Sequence, residues 1–244
     1  MENIKIISLG GSIIVPAQKD TVTDSLVDIN FLSGFSRIIY PYLSGDRQRK
    51  LILVCGGGTI ARKYQQAFRS VCRETGLMAT KPEQEDWIGI AATRLNAELL
   101  KYIFAEYCTD SVVYDPTAEF AFTGRMLLAA GWKPGFSTDY DAVILAERFN
   151  AGTVINLSNI AKVYTDDPAE NPDARPVDHI SWAGYSDIVG SEWVPGKNAP
   201  FDPVAAGLAA EKKIRVVMAD GRNLVNLKKI LDDENFEGTI IGPQ

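Results

Sequence analysis

Two glycine clusters and a pair of carboxylates carry most of the chemical signal in this chain. Gly10-Gly11-Ser12 follows directly on the apolar run Ile4 to Leu9, and Gly56-Gly57-Gly58 follows directly on Leu51 to Cys55. Glycine after a buried strand lets the backbone approach a ligand closely and leaves N–H groups to face an anion. The first cluster reads equally well as a phosphate-binding turn or a plain tight turn. The second is followed, about one helical turn on, by Arg62, whose guanidinium could clamp a phosphate with two hydrogen bonds. The alternative is an arginine on a solvated helix face. The third feature is the Pro134-Gly135 turn, which runs through Ser137-Thr138-Asp139-Tyr140-Asp141 into the helical pattern 142–148. Ser137 or Thr138 can cap that helix. Asp139 and Asp141 fall in its first turn, where exposed N–H groups and the helix dipole favour carboxylates. The pair could hold a metal ion or orient a phosphate-bearing substrate. Asp86, at the head of the helical pattern 87–100, is either a cap or an acceptor for a sugar hydroxyl.

These residues need elements to carry them. Leu51 to Cys55 is a continuous apolar run, and Ile4 to Leu9, Thr153 to Leu157 and Ile214 to Ala219 are predominantly apolar. Runs of that kind suit strands buried on both faces. Helical periodicity marks 28–42, 59–64, 86–100, 142–148, 180–188, 204–211 and 224–231. A short strand is expected at 111–114. Residues 126–130 fit a strand or a short helix, and Gly238-Thr239-Ile240-Ile241 is expected to close the sheet. Strands alternating with helices predict a parallel sheet covered on both faces, with ligands at the carboxyl ends of the strands. The two glycine turns and the 133–141 turn then share one rim, which points to a small-molecule enzyme. The loop 193–198 is long enough to move over such a site.

Composition narrows the classes. The 244 residues hold 25 Lys+Arg against 31 Asp+Glu, a net charge of −6 that argues against a general nucleic-acid binder. Glycine turns and helix ends still bind phosphate without net positive charge. The 3 cysteines, Cys55, Cys72 and Cys108, form no CxxC pair and read as cytosolic thiols. His179 is the single histidine, so a histidine-rich metal site is excluded. The first apolar run is too short to span a bilayer, and no signal-peptide pattern is present. Neither the Walker pattern nor GxGxxG occurs.

The motifs together resemble the amino acid kinase superfamily, and within it most closely the uridylate (UMP) kinases of the archaeal type. The resemblance runs nearly end to end. It rests on Gly10-Gly11-Ser12 with Pro16, on Gly56-Gly57-Gly58 with Ala61-Arg62-Lys63-Tyr64, and on Asp86-Trp87-Ile88-Gly89-Ile90 with Thr93-Arg94-Leu95-Asn96-Ala97. Pro134-Gly135, Thr138-Asp139, Ala146-Glu147, Val163-Tyr164-Thr165 with Asp167-Pro168, Asp202-Pro203 with Ala205-Ala206, and Gly238-Thr239 extend it. It implies a three-layer αβα sandwich around a mainly parallel sheet, forming a single domain over 1–244. The N-terminal part would bind the acceptor, and the segment from about 150 to 244 the nucleotide. It implies transfer of the γ-phosphoryl of ATP to UMP with magnesium, in a cytoplasmic homo-oligomer that is a hexamer in the family. By resemblance, Gly10 and Gly11 lie beside the transferred phosphoryl and Asp139 organises the transfer site. Gly57, Gly58 and Arg62 hold the UMP phosphate, Asp86 takes the ribose hydroxyls, and Thr138 lies near the acceptor. Ser12, Asn159, Lys162, Tyr164, Asp167 and Pro168 fall on the ATP side.

Four residues at three sites depart from the pattern. Ser8 stands where many members carry lysine, Ala161-Lys162 replaces an Asp-Gly pair, and Trp132 replaces a small polar residue in the acceptor loop. These departures keep two alternatives open. One is a related kinase with a different small acceptor. The other is a non-catalytic nucleotide- or oxyanion-binding protein, like the family's molybdenum and tungsten storage branch.

Overall fold

The computed structural model describes residues 3–17, 25–76, 81–166, 171–190 and 199–243. A seven-stranded sheet forms the middle layer, built from β1 (Asn3–Leu9), β2 (Arg49–Cys55), β3 (Met126–Ala129), β4 (Thr153–Ser158), β7 (His179–Ile180), β8 (Arg215–Asp220) and β9 (Thr239–Ile241). Its order is β3-β2-β1-β4-β8-β9-β7. All neighbours pair in parallel except β8 and β9. A separate antiparallel ribbon joins β5 (Val163–Tyr164) to β6 (Pro176–Val177).

Strand alternation sorts the apolar side chains into two cores. Ile7 and Leu9 of β1, Leu51 and Leu53 of β2, and Ile155 and Leu157 of β4 face one side. There they pack on α2 (Ile29–Gly45), α4 (Pro82–Ile103) and α8 (Leu224–Leu231) through Phe35, Ile39, Leu100 and Leu227. Ile6, Ile52, Val154 and Val216 face the other side. That face is covered by α5 (Thr138–Arg148), α6 (Trp182–Val189) and α7 (Pro203–Glu211) through Val143, Leu145, Tyr185 and Ala205. The result is the expected αβα sandwich. The same alternation puts Ser8, between Ile7 and Leu9, and Asn156, between Ile155 and Leu157, on the α5 face.

Several local expectations change. The helix expected to begin at Asp86 begins at Pro82, which occupies the N1 position with Lys81 as its cap, so Asp86 is not the cap. The strand expected at 111–114 reduces to a single bridge between Val113 and Ala129. Residues 126–129 form strand β3, not a helix. The run at 180–188 is split, with Ile180 in β7 and the helix starting after Ser181, whose side chain accepts from Gly184 N–H. The C-terminal run forms β9 but does not close the sheet, because β7 lies outside it. The four residues after Gly10 coil into the short helix α1 (Gly11–Ile14).

Candidate active site

The rim where β1, β2 and β4 end gathers most of the candidate residues. β2 lies to one side of β1 and β4 to the other. The chain therefore changes direction across the β1/β4 boundary, the position at which open α/β sheets bind ligands.

The two glycine turns meet backbone to backbone. A Cβ on Gly11 would come within 2.0 Å of Gly58 N, and Gly58 itself has φ +67°. Close packing alone thus requires glycine at both positions. Asn96, buried on α4, donates to Gly56 O at 2.7 Å and fixes the second turn. That turn opens α3 (Gly58–Thr75), whose first N–H groups have no intrahelical acceptor. Thr59 N–H is taken by Val15 O at 3.0 Å. Gly57 and Gly58 line a cavity of about 430 Å³, and Arg62, Asp86, Thr138 and Asp202 line it with them. Arg62 is exposed and donates to Thr59 Oγ1 at 3.1 Å. All five residues expected to bind the acceptor (Gly57, Gly58, Arg62, Asp86 and Thr138) therefore border one space.

The far wall of that cavity is the loop 131–137, held by three side chains. Gly131 N–H donates to Thr93 Oγ1 at 2.8 Å, Trp132 N–H to Asp141 Oδ2 at 3.1 Å, and Gly135 N–H to Asp86 Oδ2 at 2.9 Å. Trp132, Phe136 and Tyr140 pack in series with tilted rings, their centroids 5.1 and 4.7 Å apart. Lys133 Nζ lies 3.7 Å from the Trp132 ring centroid. Asp86 thus spends one oxygen on the loop and, among the described residues, keeps the other.

Asp139 sits at the start of α5, where Ser137 is the cap and accepts from Tyr140 N–H at 3.2 Å. Its Oδ1 accepts from Ser8 Oγ at 2.8 Å and from Asn156 Nδ2 at 2.7 Å. Its Oδ2 accepts from Asp202 N–H at 3.3 Å. Asp202 in turn caps α7 by accepting from Ala205 N–H at 2.7 Å. Burial pushes the Asp139 carboxyl up to about 6 against the lowering effect of these donors, and the Asp202 charge adds to the rise. Asp141 is 1% exposed, and its Oδ1 has no partner among the described residues. Burial pushes it up to about 7, opposed by Trp132 N–H and reinforced by Asp139 and Asp115. Gly10 is tied to β4 by its N–H, which donates to Leu157 O at 2.8 Å.

The ATP-side candidates are less tightly gathered. Ser12 lies in α1, beside the glycine turns. Asn159 is exposed just past β4, and Tyr164 is half-buried in β5. Lys162 Nζ is 2.5 Å from Asp178 Oδ1, an ion pair that raises its pKa. Asp167, Pro168 and the loop 193–198 lie outside the described residues. Among the described residues no group of three His, Cys, Asp or Glu could cage a metal ion. Both Asp139 oxygens are already accepting hydrogen bonds.

Reading the residues one at a time misses Asn156, Asp202 and the loop-fixing role of Thr93, and it treats Ser8 only as a departure. The available signal is a polar residue flanked by apolar ones near the end of each strand, Ser8 between Ile7 and Leu9 and Asn156 between Ile155 and Leu157.

The chain belongs to the amino acid kinase family, whose model matches residues 3–220. The particular members it resembles are archaeal uridylate kinases. That of Methanocorpusculum labreanum is 33% identical over 240 residues, spanning 97% of this chain and 94% of its own length. That of Thermoplasma volcanium is 32% identical over 233 residues, spanning 93% and 92%. Among solved structures, uridylate kinase from Archaeoglobus fulgidus superposes with a TM-score of 0.76 at 29% identity, covering 98% of this chain and all of that one. UMP kinase from Ureaplasma parvum superposes at 0.73 with 18% identity, a likeness of fold.

Proposed function

We propose that this chain transfers the γ-phosphoryl group of ATP to UMP, giving UDP and ADP. A phosphate oxygen of UMP attacks the γ-phosphorus, and the bond from that phosphorus to the bridging oxygen of ADP breaks. The observation that carries the reading is the convergence of Gly57, Gly58, Arg62, Asp86 and Thr138 on one cavity beside Asp139. The family membership and the uridylate kinase names of the relatives support it.

The chemistry needs no strong base. A phosphate monoester has a second pKa of about 6, so the acceptor oxygen is already ionised near neutrality. What remains is positioning and charge stabilisation. The α3 N-terminus and Arg62 receive the UMP phosphate, the free oxygen of Asp86 takes a ribose hydroxyl, and Gly10 and Gly11 offer backbone close to the transferring group. The chain up to about residue 150 then forms the acceptor half and the remainder the ATP half. Asp139, bonded to Asp202, spans the two. The donor set does not fit a protein-held magnesium site, so the ion belongs with ATP as its counter-ion. The exposed apolar residues of α4, Trp87, Leu95, Leu99 and Tyr102, support self-association of the chain, as a hexamer by family analogy. No helix among the described residues is long and apolar enough to cross a membrane.

The test is ADP release with magnesium–ATP against UMP, CMP, AMP, carbamate, N-acetylglutamate, aspartate and isopentenyl phosphate. UMP gives the highest kcat/KM under this reading. A preference for another acceptor overturns the substrate, and silence with all of them turns the reading to a non-catalytic binding protein.

A further inference from the structure

Ser8 and Asn156 are register partners across β1 and β4. Both are nearly inaccessible, at 2% and 5% exposure, in strands whose other buried residues are all Ile, Val or Leu. A hydroxyl and a carboxamide inside a sheet are costly unless they are bonded. Their donors converge on a single atom, Asp139 Oδ1, at 2.8 and 2.7 Å. The Asn156 amide is oriented by this contact, with its Nδ2 toward the carboxylate and its Oδ1 left without a partner among the described residues. Among the described residues, Oδ2 of Asp139 receives only the longer bond from Asp202 N–H. All three donors are neutral, and among the described residues Asp139 forms no ion pair.

We propose that Ser8 and Asn156 are positioning residues for phosphoryl transfer. Side by side on adjacent strands, they grip one oxygen of Asp139 with neutral donors and so aim the carboxylate without cancelling its charge. A lysine at position 8 would do the opposite, pairing with the carboxylate and neutralising it. The inference rests on the phosphotransferase reading and adds to it how this chain holds its organising acid. Because the cradle acts through Asp139, it should leave nucleotide binding alone.

The experiment compares Ser8→Ala, Ser8→Thr, Asp139→Asn and the double variant Ser8→Ala/Asp139→Asn, with turnover, equilibrium binding of UMP and ATP, and thermal midpoint read on each. Ser8→Ala is expected to lower kcat about tenfold, the scale of one neutral hydrogen bond, with both dissociation constants within about twofold of the unmutated chain. Ser8→Thr keeps the hydroxyl on a β-branched side chain suited to a strand and should recover most of that loss. On the Asp139→Asn background, Ser8→Ala should add less than about twofold. Full turnover in Ser8→Ala overturns the proposal while leaving UMP kinase activity standing. So does an equal loss on both backgrounds, or weakened nucleotide binding that accounts for the loss. If the unmutated chain prefers another acceptor, the UMP reading falls and the same ratios are read with that acceptor. Absence of turnover with every acceptor overturns both.

Discussion

Two carboxylates in the first turn of α5 face opposite fates. Asp139 has donors on both oxygens, whereas Asp141 has one oxygen on Trp132 N–H and the other without a partner among the described residues. The Asp141 carboxyl is raised from 3.8 to about 7, so folding favours its neutral form. The two states bind protons alike below about pH 4. The penalty grows as pH rises toward 7 and is complete above it, up to about 4 kcal/mol for a shift of this size. Asp141→Asn removes the charge and keeps an acceptor for Trp132 N–H. It should therefore gain stability relative to the unmutated chain as pH rises from 5 to 8, read by urea midpoints at both values. An unchanged difference between the two pH values would contradict this. Arg62 is the other single-residue test. It borders the acceptor cavity from an exposed position with no carboxylate partner among the described residues. Arg62→Ala should weaken UMP binding by about 1.5 kcal/mol, the lower end for a charged hydrogen bond, and leave ATP binding unchanged. Calorimetric titration with each nucleotide decides it, and equal weakening of both would remove Arg62 from the acceptor site.

At the scale of elements, α4 anchors the site from beneath. Asn96 holds the Gly56 carbonyl and Thr93 holds Gly131 N–H. Asn96→Ala leaves that carbonyl buried and unpaired, which costs about 1–3 kcal/mol. It should lower the melting temperature and raise the KM for UMP together. A lowered melting temperature with unchanged KM would mean that the turn holds its shape without α4. Helical spacing alone was enough to locate many of these elements, because periodicity is local. Leu224–Leu231 emerges with the ends expected from its pattern. The apolar pattern at 86–100 does not reach the true start of α4, where Pro82 followed by Glu83 and Glu85 is a stronger helix opening than Asp86. The 111–114 run fails as a strand because it meets β3 at one bridge only. Ser8 and Asn156 could not be paired from the sequence, since their adjacency depends on parallel register between strands remote in the chain. The tie of Lys162 to Asp178 is equally non-local.

For the whole molecule, the sheet's change of direction at β1/β4 explains why one acid can touch both halves. Asp139 reaches β1, β4 and the start of α7 at once. The outer face of α4 is the other feature at this scale. Trp87, Leu95, Leu99 and Tyr102, from 37% to 72% exposed, recur at helical spacing on a surface that packing inside one chain leaves uncovered. Sedimentation equilibrium should find an oligomer, and Leu95→Glu/Tyr102→Glu should shift it toward monomer. A monomer at micromolar concentration in the unmutated chain would contradict the assembly.

Asp139 is proposed to organise phosphoryl transfer to UMP by electrostatics. The direct measurement is the rate of UDP formation from UMP and magnesium–ATP by Asp139→Asn beside the unmutated chain. The amide preserves size and keeps one oxygen to accept from Ser8 and Asn156, but its NH2 then faces the Asp202 N–H, so the fold should lose about 1–3 kcal/mol for that unpaired donor. Turnover should fall about a hundredfold or more, the loss expected when one preorganised electrostatic group is removed. Full turnover in Asp139→Asn, or no UDP from the unmutated chain, would contradict the account.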